Sequence, residues 1–496
     1  MVNRAPSAMS TLVFNAEVSN HHSIFREQEK EVNKQQKDIY NRIHSVAEDC
    51  EFVVSVAKKF PQFPIIANQR CGAWYVDPAN SPDCSVYFKS TDGHDGQWQF
   101  SVRRSNLHLV NLIIDRKGVL IVDSTRRGKR FPDALSKTVP AWCAVLNTVR
   151  LRLMKQYPIA ETDREFWSDE LSIRLSTPSD AVRASEHDQM CQRIEDWAKE
   201  LLSSSFDFRR SIAQLKRPLR PVWCCPTSIC TMTDFNSNED VLPSYYPVVC
   251  VSASKIVTDT STTYRPAGYT YVQGAGDDHE SWSGGLTPTT FWKHSTKILS
   301  ASRHDIPNLL REIFAEQELQ KQTSTASQQR FNIQETGLNI SLADGMTTLG
   351  SQTSLGNLLT VLVSTSTDQI HIVKQGDDGK EVFQIEGDQS VLKNFSKTLS
   401  HISPKCVQAL RDRGKLCVIA GGCHKAQSQE LVVAIALCVL VETFDDARQL
   451  RTQSVPRIDK SLIRSRLQWM IEASDGSLNP SRSVLKRVNN FLIPPP

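Results

Sequence analysis

Six basic residues and one acid lie between Arg116 and Arg130, a local charge of +5 on a chain whose total is +4. The apolar run Val119–Val122 ends in Asp123, and Ser124, Thr125, Arg126, Gly128, Lys129 and Arg130 follow. A β-branched run of that length reads as a buried strand. Hydroxyls, backbone N–H groups and cations crowded at a strand's end suit an oxyanion such as phosphate. A basic surface turn held by Gly128 is the plainer alternative, and the charge density argues against it. The spacing G-x-x-x-x-G-K-[ST] is absent, so this is not a Walker-type loop.

Two further segments carry reactive residue types. Upstream, Lys89, Arg103 and Arg104 are candidates for neutralising phosphate, with Arg70 as a further clamp. Asp92, His94 and His108 are candidates for moving a proton; the alternatives are a polar hairpin turn at Thr91–Gly96 and histidines with a structural place only. Downstream, Gly274 and Gly276 permit close backbone approach, and Asp277 and Asp278 follow them. Paired carboxylates suit Mg²⁺ bridging a diphosphate, because hard cations take oxygen ligands. The same acids equally suit the first turn of a helix, where they meet its macrodipole.

Near the C-terminus a small-residue loop joins an apolar strand, 416–420, to an apolar helix, 431–441. Strand, loop and helix N-terminus together form anion-binding geometry. The loop holds Cys423, His424, Lys425, Ser428 and Gln429. A cysteine phosphatase needs an arginine on the transferring phosphate, and this loop has none. Phosphatase chemistry is therefore not expected, while phosphate binding stays open.

These sites need elements to hold them. A chain of 496 residues exceeds one core and predicts two or more domains. A polar tail is expected over 1–23, a mixed α/β domain over 24–315, a linker or irregular excursion over 316–360 and a smaller α/β domain over 361–496. The periodicity predicts a surface helix over 27–48 and strands at 75–76, 86–88, 119–122 and 248–251. It also predicts a last helix capped by Asn479 with Pro480 at its first position. The thirteen cysteines follow no zinc or disulfide frame. With no visible signal peptide and no apolar run long enough to span a bilayer, a soluble, cytoplasmic or nuclear protein is expected, without a membrane partner.

Taken together, segments 36–45, 68–76, 86–94, 103–109, 121–147, 271–280, 285–288, 291–294, 460–469 and 479–482 resemble one family. It is the initiator-tRNA 2′-O-ribosyl phosphate transferases. The resemblance implies transfer of a 5-phosphoribosyl group from phosphoribosyl diphosphate (PRPP) to the 2′-hydroxyl of a T-stem adenosine of initiator tRNA. Diphosphate would leave, and the modified tRNA would be kept for initiation. It also implies a C-terminal domain similar to dual-specificity phosphatases. The chain departs from the family there: where the family has Gly-Lys-Asp-Leu, this chain has Ser428, Gln429, Glu430 and Leu431.

On this reading Ser124, Thr125, Arg126, Gly128, Lys129 and Arg130 hold phosphate. Asp123, Asp277 and Asp278 hold Mg²⁺ or act as a base. Seven basic residues against three acids between Arg457 and Arg487 suggest that Arg464, Arg466 and Arg482 track tRNA phosphates. The partners expected are initiator tRNA and PRPP, not DNA, with a monomeric chain. A non-catalytic tRNA-binding protein and a phosphatase acting on RNA or nucleotides are the competing functions.

Overall fold

A computed structural model describes residues 37–69, 71–82, 84, 86–126, 128–168, 170–204, 208–228, 244–257, 263–323, 328–333, 336, 338–343, 359–364, 382–386, 395–413, 416–420, 425–451, 458–474 and 478–493. The chain divides into two compact units. The first comprises residues 1–100, 109–199 and 209–310; the second comprises 101–108, 200–208 and 311–496.

The first unit is built on four parallel strands. They are β1 (Ile65–Ala67), β2 (Val119–Asp123), β3 (Leu219–Cys224) and β4 (Tyr246–Ser252), in the order β1-β2-β4-β3. The two central strands, β2 and β4, are buried along their whole length. Strands covered on both faces need apolar residues at every position rather than at alternate ones. That is why 119–122 and 248–251 stand out in the sequence as continuous runs. Three of the unit's helices are α1 (Ile39–Ala57), α2 (His108–Arg116) and α3 (Val139–Arg152), of which α3 packs on β3. One π-helical turn, Ala134–Thr138, precedes α3. The Trp142 and Phe88 rings meet edge to face, with centroids 5.6 Å apart.

The first unit also departs from the sequence expectations. Of the helix expected over 27–48, residues 27–36 lie outside the described residues; the described helix, Ile39–Ala57, is not a surface helix. It buries Ile43, Val46, Phe52, Val53 and Val56, and also the polar Asn41, Ser45 and Asp49. Its Asp38 cap accepts from Asn41 N at 3.2 Å. Residues 75–76 form no strand. They follow the 3-10 turn Gly72–Trp74, whose Gly72 lies so close to β2 that a Cβ there would stand 2.1 Å from Val122 O.

The second unit holds a five-stranded sheet. Its strands are β5 (Gln328–Ile333), β6 (Leu338–Ala343), β7 (Leu359–Ser364), β8 (Val382–Glu386) and β9 (Leu416–Ala420), ordered β8-β7-β9-β6-β5. All pairs are parallel except β5 with β6. The helices α4 (Phe395–Arg413), α5 (Lys425–Thr443), α6 (Lys460–Ala473) and α7 (Arg482–Leu492) complete it. Residues 431–441 of α5 are all buried. A helix apolar on every side belongs inside a unit rather than on its surface.

The stretch expected as a linker, 316–360, is corrected here. It contains the end of a helix (Ile306–Thr323), all of β5 and β6, and the first two residues of β7. The hairpin is polar overall, yet Ile333, Leu338 and Ile340 are fully buried. Period-two burial in a Gln- and Asn-rich segment leaves too little apolar composition to announce a strand. The start of the last helix is corrected too: Ser481, not Asn479, caps it, accepting from Val484 N.

Candidate active site

β1 and β2 end side by side, which puts Asn68 next to Asp123 at the C-terminal edge of the first sheet. Asn68 Nδ2 donates to Asp123 Oδ2 at 2.8 Å and to Phe88 O at 2.9 Å, while its Oδ1 accepts from Phe88 N at 2.8 Å. One buried amide thus joins β1, β2 and the segment leading to Lys89. Ligands of open parallel sheets collect at this edge.

A cleft of about 260 Å³ opens there. The loop after β2 contributes Asp123, Ser124, Thr125, Arg126 and Lys129 to its wall, and Asp133 beyond them. Lys89 and His94 come from either end of the short 3-10 turn Ser90–Gly93. The glycine-flanked loop adds Gly276, Asp277, Asp278 and His279. Three segments far apart in sequence therefore bring cations, hydroxyls and carboxylates to one cavity.

The glycine-flanked loop is held from behind. Arg42 of α1 donates to Ala275 O at 2.9 Å and to Asp277 O at 3.0 Å, and it lies over the Trp282 ring. Trp282 Nε1 donates to Asp277 O at 3.0 Å. Gly274 sits at φ +69°, and a Cβ there would lie 2.8 Å from Thr125 O. Only glycine lets the two loops approach this closely.

Burial pushes the Asp123 carboxyl up to about 7, assisted by the charge of Asp277 and opposed by hydrogen bonds from Asn68 and from Ser124 N. A group of that pKa can exchange a proton near neutral pH. Burial also raises the Cys71 thiol well above its ordinary range, which keeps it a thiol rather than a nucleophilic thiolate.

The Asp123 shift has a consequence for stability. Folded Asp123 binds its proton more tightly than the unfolded chain does, so its contribution is complete below about pH 4 and is lost as pH rises to about 7. Asp123→Asn should flatten that part of the stability profile. Urea midpoints at pH 5 and pH 8 measure it: the parent should lose more between the two than the variant. Equal losses would place the ionisation elsewhere.

Several residues expected at the site stand elsewhere. Asp92 is buried away from the cleft wall, and its Oδ1 accepts from Gln99 Nε2 at 2.9 Å. Arg130 turns to an ion pair with Asp180. Gly128 supplies a left-handed turn at φ +87° with open space around it. Arg103, Arg104 and His108 belong to the second unit, where Arg103 Nη2 donates to Asn479 Oδ1 and, at 2.8 Å, to Pro480 O. Asn479 is thereby engaged by arginine instead of capping a helix.

Arg466 is corrected as an RNA contact. It is fully buried, pairs with Asp446, donates to Phe444 O at 3.0 Å and lies over the Trp469 ring. Arg464 and Arg482 are exposed. Arg70, Cys423 and His424 lie outside the described residues, as do the side chains of Lys425 and Ser428; Gln429 lies in the second turn of α5.

Among the described residues, no group of three or more His, Cys, Asp and Glu side chains is placed to hold a metal ion. Asp277 and Asp278 still fit Mg²⁺, which is commonly bound by one or two carboxylates together with substrate phosphates and waters. No described helix is long and apolar enough to cross a membrane. Cys50, Cys143, Cys224, Cys225, Cys250, Cys406 and Cys438 are free, buried thiols.

A parallel α/β sheet thus carries at its C-terminal edge a cleft lined by cations and carboxylates together, in a chain that also holds a second α/β unit. Residues 32–315 match the Rit1 N-terminal domain, and residues 381–492 match the Rit1 DUSP-like domain. The chain is 31% identical to the tRNA A64-2′-O-ribosylphosphate transferase of Saccharomyces cerevisiae, over 94% of each chain. It is also 31% identical to an uncharacterised protein of Schizosaccharomyces pombe, over 94% of this chain and 96% of the relative. No solved structure matches. The chain belongs to the Rit1 family and is a ribosylphosphate transferase of that family, a pentosyltransferase.

Proposed function

We propose that the chain transfers the 5-phosphoribosyl group of PRPP to the 2′-hydroxyl of a T-stem adenosine of initiator tRNA, and so reserves that tRNA for initiation. The observation that carries this reading is one cleft lined by Lys89, Arg126 and Lys129 together with Asp123 and the Asp277–Asp278 pair. The kinship with a transferase named for position A64 of tRNA supports the acceptor.

Two requirements follow from the chemistry. Negative charge must be neutralised on the leaving diphosphate and on the 5-phosphate, and the hydroxyl must lie in line with the anomeric carbon. Lys89, Arg126 and Lys129 serve the first, with Thr125 and the backbone N–H groups of the loop as neutral donors. As the 2′-oxygen bonds to the anomeric carbon, the bond from that carbon to diphosphate breaks, and Asp123 takes the hydroxyl proton. Asp277 and Asp278 would hold Mg²⁺, which when bound neutralises diphosphate charge.

The test is diphosphate release from PRPP measured with and without initiator tRNA. Release that requires the RNA and stops when it is fully modified is expected. Equal release without RNA, or none with it, would refute the transfer.

The exposed Arg464 and Arg482 are proposed to meet the RNA backbone. Duplex RNA is recognised mainly through its shape, phosphates and 2′-hydroxyls. Replacing both by alanine should lower the slope of log affinity against log salt by roughly 0.7–0.9 per lost contact. An unchanged slope would remove both residues from the interface.

A further inference from the structure

A chain of buried hydrogen bonds runs from the cleft into the first unit. Ser124 Oγ lies against Ser254 Oγ, Ser254 lies 2.8 Å from Asp49 Oδ2, and Gly274 N donates to Ser254 Oγ at 3.1 Å. Asp49 Oδ1 accepts from Tyr271 OH at 2.7 Å, and that hydroxyl in turn accepts from Lys255 N at 2.8 Å. Asp49, Ser254 and Ser124 are at most 5% exposed. Of the three, only Ser124 lines the cleft.

The donors at Ser254 can be counted, while Ser124 also has the Tyr75 hydroxyl as a hydrogen-bond partner. The Ser254 oxygen has one proton and two lone pairs. The Gly274 N–H occupies one lone pair. One proton and one lone pair remain for Asp49 and Ser124, which leaves two arrangements. If Asp49 is a carboxylate, Ser254 must donate to it, and Ser124 must donate to Ser254. The Ser124 proton then points inward. If Asp49 carries a proton, it can donate to Ser254, Ser254 donates to Ser124, and the Ser124 proton is freed from Ser254, so that a phosphate in the cleft can compete for it with the Tyr75 hydroxyl.

We propose that Asp49 is a positioning residue whose protonation sets the direction of this hydroxyl chain, so that Ser124 donates to a donor-substrate phosphate only while Asp49 is neutral. The inference rests on the reading of the cleft as the PRPP site. The surroundings favour the neutral form at ordinary pH. Burial and the neighbouring Glu48 raise the Asp49 carboxyl to about 8, against hydrogen bonds from Tyr271 and Ser254 and the charge of Lys255. Cys50, Cys71 and Tyr75 also interact with Asp49; burial raises all three, which keeps them neutral. Glu48 remains ionised, held down to about 2 by hydrogen bonds from Arg265, Lys255 and Tyr269.

The sign follows directly. Below about pH 8 the chain points outward and Ser124 is a donor. Above it Ser124 is an acceptor facing an anion. A hydrogen bond to a charged group, when lost, should weaken PRPP binding about tenfold.

PRPP affinity measured by calorimetry at pH 7 and pH 9 tests this, with thermal unfolding confirming that each variant is folded. The parent should weaken about tenfold between the two. Asp49→Asn keeps a donor toward Ser254 and an acceptor for Tyr271, so it should lose clearly less affinity than the parent, no more than the ionisation of Asp123 in the cleft wall accounts for. Ser254→Ala removes the inward acceptor, leaves the Ser124 proton free of Asp49 at both, and should bind near the parent's pH 7 value without the parent's tenfold loss. A folded Asp49→Asn that weakens like the parent, or one that fails to bind at pH 7, would overturn the role of Asp49 alone. A parent that does not bind PRPP at either pH would overturn the reading of the cleft as well.

Discussion

Gly274→Ala should lower transfer about a hundredfold while leaving the protein folded. The new Cβ would stand 2.8 Å from Thr125 O and 2.9 Å from Arg126 N and Cα, closer than real Cβ atoms come to backbone. The loop carrying Ser124, Thr125 and Arg126 must then move, and displacements near 1 Å in reacting groups can cost about 10²-fold. The residue would also be held at positive φ, a strain of about 1–2 kcal/mol. Gly96 provides the control. It has φ +72° with nothing within 4 Å of the place a methyl group would occupy, so Gly96→Ala carries the strain without the collision. The ratio of kcat/KM between the two variants isolates the contact between the loops. A ratio near one would mean that their close approach is not needed for transfer.

Removing the cleft's cations should have a comparable effect through a different route. Arg126 and Lys129 are both exposed in the cleft wall, and Lys129 Nζ makes only a surface pair with Asp133 at 3.0 Å. Such substitutions seldom change stability by more than about 0.5 kcal/mol. Each lost charge-assisted contact to phosphate should cost about 1.5–3 kcal/mol, about tenfold or more in PRPP affinity. Arg126→Ala with Lys129→Ala should therefore weaken PRPP binding about a hundredfold or more with an almost unchanged unfolding midpoint. Parental affinity in the double variant would take the phosphates out of this loop.

The phosphate loop is legible in the sequence because its signal is local. An unbroken apolar strand, an acid and a run of cations occupy adjacent positions, and central parallel strands leave that trace. The Gly274–Asp278 segment is legible for the same reason, since glycine tolerates an approach that other residues do not. What supports these loops is hidden. Asp49, Ser45 and Asn41 recur on one face of α1 with the spacing of a solvated helix, and only the fold shows that face buried. Asn68 and Ser254 are small polar residues whose roles depend on which strands lie side by side. The hairpin Gln328–Ala343 escapes a sequence reading because half of its residues are polar by the logic of a strand with one covered face. Arg466 looks like its exposed neighbour Arg464, because charge alone does not reveal that a guanidinium is enclosed by Asp446, Phe444 and Trp469.

Transfer to the 2′-hydroxyl is tested most directly by the mass of the RNA itself. Initiator tRNA incubated with the full chain, PRPP and Mg²⁺ should gain one phosphoribosyl group, located by nuclease digestion to a single T-stem adenosine. The same tRNA carrying 2′-deoxyadenosine at that position should gain nothing, though it should still bind. An unmodified RNA after complete incubation, or equal modification of the deoxy acceptor, would contradict the account.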